Sequence, residues 1–206
     1  MKKLMLLPIF LLSVCAAHAF NDKKMSYINL GAINSTMSQT GAPDLTCGMS
    51  ASFTAGRTYS FHKKPIGGFL RFGVDVTWFE LNYENYSIQH KGYWGNESYL
   101  YHEAEYSLHI GPSITLNPFG KCYIHGYYRF APSYSALYMH DSLYGGYSSY
   151  WVGGGSISIG KVGLGIENRV GDSNYRLLLD SESGKMLFEP NKVKHNGWRL
   201  YLSFKF

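Results

Sequence analysis

Three shortages bound what this sequence can be. Charged residues fill only 16% of its 206 positions, against about 25% in an average soluble domain. No stretch after Ala19 is apolar over the roughly 20 residues that a membrane-spanning helix requires. A bilayer crossing would have to be made by strands, whose signal is weak per segment. Cysteine is scarce: Cys15, Cys47 and Cys122 make no paired-Cys metal motif, and neither HExxH nor a Gly-rich phosphate loop occurs. No cofactor or metal site is expected. The formal net charge of +5 includes Lys2 and Lys3 and is not gathered into a basic run, which argues against a nucleic-acid partner.

What is present begins with an export signal. Lys2 and Lys3 precede an apolar run from Leu4 to Ala16, and Ala17-His18-Ala19 puts small residues at −3 and −1 of a cut after Ala19. Residues 1–19 are expected to be removed, leaving residues 20–206 as one exported domain. Val14 stands before Cys15 where a lipidated signal would carry a small residue. An exported compartment permits a disulfide, but the strand map below sets Cys47 and Cys122 near opposite ends, so both are expected to be free.

Aromatics make up 17% of the chain, with 18 tyrosines beside 23 glycines, a mixture that favours strands. Side chains alternate between the two faces of a strand. Parity and turn signals together mark strands at about 26–34, 47–61, 69–81, 99–116, 122–131, 150–159, 162–170 and 198–206. One face is a band of Leu, Ile, Val, Phe, Tyr and Trp. The other collects Arg71, Asp75, Glu103, Glu105, Arg129, Glu167, Arg169 and Arg199, with the two signs balanced. Parity in the second strand sets Arg57 on the apolar face, so a bulge or a register shift is expected there. Connections after the first, third, fifth and seventh strands are long and the others are short. All long loops therefore fall at one end.

The last strand, WRLYLSFKF, sets Trp198, Leu200, Leu202, Phe204 and Phe206 against Arg199, Tyr201, Ser203 and Lys205. This alternation resembles the closing strand of bacterial outer-membrane barrels, and the sorted loops are similar to those of the small OmpA/OmpX-type family. The resemblance implies an all-β fold, an eight-stranded antiparallel up-and-down transmembrane β-barrel. It also implies a Gram-negative outer membrane, periplasmic termini, external loops, and membrane lipid and lipopolysaccharide as surroundings. Side chains just fill the interior of so small a barrel, and inward charges must pair, so a closed lumen is expected.

The resemblance leaves the specific role open; a non-enzymatic part in envelope structure or surface recognition is expected, with other readings as alternatives. His109 and His125 face inward on neighbouring strands and could serve a proton or metal site with Glu103 or Glu105; completing a polar network is the simpler role. Some barrels of this type act on lipid A, and His140 with Ser142 has the His-x-Ser spacing of its deacylases. Leu143 and the Gly153–Gly155 run depart from that pattern. Tyr86, Tyr93, Trp94, Tyr138, Tyr144 and Tyr147, set among Ser, Gly and Asn, read as external-loop contacts for an extracellular ligand or surface. Alternatively they form an interfacial girdle. A secreted soluble β-sandwich would bury the apolar face instead.

Overall fold

The computed structural model describes residues 24–92, 95–119, 121–139, 141–179 and 192–206. The leader read at residues 1–19 lies outside them, as do His140, Tyr93 and Trp94. Eight antiparallel strands run up and down in one closed ring. They are β1 Lys24–Ser38, β2 Leu45–Ser60, β3 Leu70–Gly92, β4 Gly95–Phe119, β5 Cys122–Met139, β6 Ser142–Ile159, β7 Val162–Leu179 and β8 Lys192–Lys205. β8 pairs with both β7 and β1, and Phe206 and Ser26 exchange backbone hydrogen bonds of 2.8 and 3.0 Å. Closure gives every strand a partner on both sides through the body of the ring, and the β3–β4 hairpin extends beyond its neighbours at one end.

Alternation decides which way each side chain points. Along β8, Val193, His195, Arg199, Tyr201, Ser203 and Lys205 are buried, while Trp198, Leu200 and Leu202 are exposed. Crowding inside is relieved by glycine. A Cβ on Gly165 would lie 2.2 Å from the Tyr201 ring, and one on Gly56 would lie 2.3 Å from the Tyr27 hydroxyl, so these tyrosines lie flat only because no side chain stands beneath them.

The ring has a turn end and a loop end. At the turn end Gly160, with φ of 62°, opens the two-residue connection Gly160–Lys161 between β6 and β7. At the other end the structure corrects the strand lengths. Residues 82–92 continue β3, 95–98 extend β4, 132–139 continue β5 and 142–149 begin β6. β3 and β4 stay in register up to Gly92↔Gly95, and β5 and β6 up to Met139↔Ser142. The Tyr, Ser and Gly of these segments suit a sheet: Ser133, Ser135 and Ser148 turn inward, and Tyr134 and Tyr147 turn outward.

Two site expectations fall with those loops. Tyr86 and Tyr144 point into the barrel and are almost fully buried, because each sits at an inward parity of an extended strand. They join a cap of apolar side chains at the loop end, one or more from every strand: Met37, Leu45, Tyr86, Tyr101, Leu137 with Met139, Tyr144, Tyr175 and Val193. Cys47 packs against this cap. Cys122 starts β5 at the turn end, and both thiols are free.

Candidate functional site

Below the cap, inward charges form one alternating ladder. Asp75 on β3 meets Arg129 on β5, with Nη1 3.2 Å from Oδ1. The other arm of Arg129 reaches Glu167 on β7 at 2.9 Å. Glu167 in turn meets Arg199 on β8 at 2.7 Å, and Arg199 meets Glu80 on β3 at 2.8 Å. Glu80 lies 3.8 Å from Arg169, which pairs with Glu105 on β4. Every member is buried, so each charge depends on its neighbours and on hydroxyl and amide donors for compensation. Thr58 and Tyr27 donate to Asp75 at 2.7 and 2.5 Å. Thr54 and Asn82 donate to Glu80 at 3.0 and 2.9 Å. The guanidinium carbons of Arg129 and Arg169 also lie 3.7 and 4.5 Å from the ring centroids of Tyr127 and Tyr150.

Six of the eight charges picked out in the sequence stand in this ladder: Asp75, Glu105, Arg129, Glu167, Arg169 and Arg199. Arg71 shares their parity but sits at the turn-end rim, opposite Thr115. Glu103 lies one layer above, opposite Glu84, and accepts from Tyr175 at 2.5 Å. Glu84 accepts from Ser35 and, at 2.9 Å, from Tyr86.

Glu80 was missed, and the cause is local. β3 carries one extra residue at Trp78-Phe79 relative to both neighbours; both aromatics face outward, and the parity flips beyond them. Two adjacent bulky aromatics before a Glu were the available signal. His125 faces Asp75 at 3.2 Å and His109 faces Glu80 at 3.3 Å. Both histidines sit against ladder carboxylates, and no cluster able to hold a metal occurs among the described residues. Arg57 faces outward. Its Nε donates to Ser26 at 2.9 Å and its guanidinium lies 5.4 Å from the Trp78 ring. The shift that accompanies it is the β3 bulge, opposite the Ala55–Gly56 step.

Ser142 is buried at the β5–β6 hairpin, facing away from the outer surface where an acyl chain would approach. Tyr138 and Tyr147 are exposed on outward positions, and the Tyr138 hydroxyl donates to Asp141 at 2.9 Å.

The outer surface inverts the polarity of a soluble domain. Leu164, Leu200, Ile157 and Ile110 are 56–68% exposed, within a band that circles the whole ring while the charges sit inside. So large an apolar surface is incompatible with water and matches the lipid-facing band of a membrane barrel. The fold is that of the small outer-membrane β-barrels. Above Leu81, Tyr106 and Trp198 the continuous apolar band ends, and Asn85, His102, Lys194 and Asn196 stand on the outer face among Leu100, Tyr138, Tyr147 and Leu178. Glu84, Glu103, His195 and the apolar cap thus lie beyond the membrane-spanning segments.

No protein-family model matches the chain, and no curated protein matches it in sequence. Among solved structures the barrel is similar to Neisserial surface protein A, at 14% identity over 88% of this chain and 97% of that one, with a TM-score of 0.48. It is similar to Ail, the attachment invasion locus protein of Yersinia pestis, in complex with the heparin analogue sucrose octasulfate, at 12% identity over 89% and 99% of the two chains and a TM-score of 0.45. A further similar structure is the outer membrane protease OmpT of Escherichia coli, at 9% identity, 90% and 97% coverage and a TM-score of 0.47.

Proposed function

We propose that the chain is a non-enzymatic, non-conducting barrel of a Gram-negative outer membrane, with its loop end outside and its termini in the periplasm. In this reading it serves envelope structure or recognition at the cell surface. The observation that carries it is the doubly closed lumen: an ion ladder at membrane depth and an apolar cap above it. A transport route would need a continuous wet path, and side chains fill this one.

The strands that continue past the apolar band give the loop end a rigid, sheet-built stem. Tyr138 and Tyr147 stand on its outside, where rings with a wet edge suit contact with an extracellular ligand or with the headgroup layer. Arg176, Lys192 and Lys194 are exposed there too, and their charge suits the phosphates of lipopolysaccharide.

Reconstitution into planar bilayers tests the closed lumen: the expected record is silent, and steady conductance at porin level would overturn it. Lipid A from expressing cells is expected to keep its acylation pattern. A change abolished by Ser142→Ala would replace this reading with a lipid A hydrolase.

A further inference from the structure

The outer face carries a depression in its turn-end half that the packing of the barrel explains only in part. Gly126 on β5 and Gly155 on β6 are register partners and both face outward. They floor a groove of about 950 Å³ on the apolar band. Ile114, Leu116 and Ile124 line it from β4 and β5, and Ile157, Leu164 and Leu202 from β6, β7 and β8. Inward glycines such as Gly165 make room for a tyrosine ring; Gly126 makes room for nothing in this chain. A Cβ there would meet the Ile114 side chain at 3.4 Å and the Gly154 carbonyl at 3.9 Å, so at Gly126 the lack of a side chain is not imposed by crowding. One on Gly155, by contrast, would lie 2.8 Å from the His125 carbonyl.

The two ends of the groove differ. Toward the loop end, Tyr128 stacks on Trp151 with ring centroids 5.4 Å apart, and a Cβ on Gly153 would touch Tyr128 at 3.3 Å, so aromatic rings roof over the next glycine. Toward the turn end, the groove runs out at Ile159 and Val162, beside two connections held together by a 2.8 Å bond from Gly160 N–H to the Lys121 carbonyl. Lys121 and Lys161, one from each connection, are exposed. An apolar slot that ends at a pair of cations has the charge pattern of a single amphiphile with an anionic head.

We propose that this groove is a binding site for an anionic phospholipid of the periplasmic leaflet. An acyl chain lies over the Gly126–Gly155 floor and the phosphate sits between Lys121 and Lys161. The proposal rests on the membrane reading above. Burial of the chain against Ile and Leu supplies affinity, because the smooth glycine floor increases its contact with the wall. The two lysines supply headgroup preference, each acting as a point charge on phosphate.

Native mass spectrometry of the full barrel released from detergent, titrated with palmitoyl-oleoyl phosphatidylglycerol or with the matching phosphatidylcholine, reads the site. The wild type is expected to retain one phosphatidylglycerol under conditions that strip the others. Gly126→Leu, which fills the groove, should lower that retention at least tenfold for both lipids. Lys121→Gln with Lys161→Gln lies outside the sheet and should leave chain binding intact while bringing the two lipids to within about twofold of each other. Heat-modifiable gel mobility reports that each variant is folded. Retention unchanged in both variants overturns the proposal. A dimer in the wild type that Gly126→Leu abolishes also overturns it, in favour of a second copy of the chain on this face. Failure of the membrane reading is separate: the wild type would then remain in solution with no detergent at all.

Discussion

Glu84 and Glu103 face each other across the β3–β4 ladder, both buried, with no ion pair to either among the described residues. Their compensation comes from the hydroxyls of Ser35, Tyr86 and Tyr175, which stabilise a carboxylate less than a cation does. Burial, joined by the charge of Glu105, pushes the Glu103 carboxyl up from its ordinary 4.5 to about 7. Burial pushes Glu84 up as well, with Glu103 adding to it.

A pH dependence follows from that pair. Between pH 4.5 and about 7 the folded protein holds a proton on Glu103 that the unfolded chain has released. Stability from this group is therefore present below pH 4.5 and lost as pH rises to about 7. The loss is on the order of 3 kcal/mol. His195, pushed down by burial, works in the opposite direction, since its charging favours the unfolded chain as pH falls. The quantity to read is the difference in melting midpoint between the wild type and Glu103→Gln at pH 5 and at pH 8. The wild type should lose more stability than the variant between those two values. Equal losses would show that Glu103 is ionised in the fold.

Arg199 joins Glu80 and Glu167. Arg199→Met is expected to cost about 3–5 kcal/mol, the penalty of stranding buried charge. Adding Glu167→Gln should recover part of it, because fewer carboxylates then compete for the remaining arginines. Urea titration of the folded fraction in vesicles measures both; a double variant no better than the single would mean that the two residues act independently.

The apolar cap is a second core outside the membrane. Leu137→Ala there should cost about 2–5 kcal/mol through transfer and cavity terms, confined to the loop end. Limited proteolysis should then cut the β3–β4 and β5–β6 hairpins while the membrane-embedded part stays protected. Uniform loss of protection would instead make the cap and the ladder one cooperative unit.

Orientation is accessible to labelling. In a variant lacking Cys47 and Cys122, Asp44→Cys on the β1–β2 connection should react with a membrane-impermeant maleimide on intact cells. Lys63→Cys on the β2–β3 turn should react only after the outer membrane is opened. Both positions are exposed, so access alone separates them. The reverse pattern would invert the barrel.

Strand parity was legible in the sequence because lipid on one side and a polar lumen on the other force a period of two on every strand. The turn-end boundaries were legible too, marked by Asn117-Pro118 and by Gly160-Lys161. Two features were not. The loop-end halves of β3 to β6 hide behind Tyr, Ser and Gly, which outside the bilayer no longer alternate apolar with polar. Tyr86 and Tyr144 therefore looked like loop residues when they cap the lumen. Glu80 was lost to the bulge at Trp78-Phe79, since one extra residue reverses every assignment beyond it.

The ladder also has a sign sequence along its length. It begins and ends on a carboxylate, Asp75 toward the turn end and Glu105 toward the loop end, and three arginines alternate with the carboxylates between them. Outside the ladder the two ends differ in sign: Lys205 is buried and Arg71 sits at the rim toward the turn end, while Glu84 and Glu103 face each other toward the loop end. Within the ladder every charge that attracts an ion has an opposite charge behind it. Under the proposed closed lumen, exclusion of ions needs no moving part.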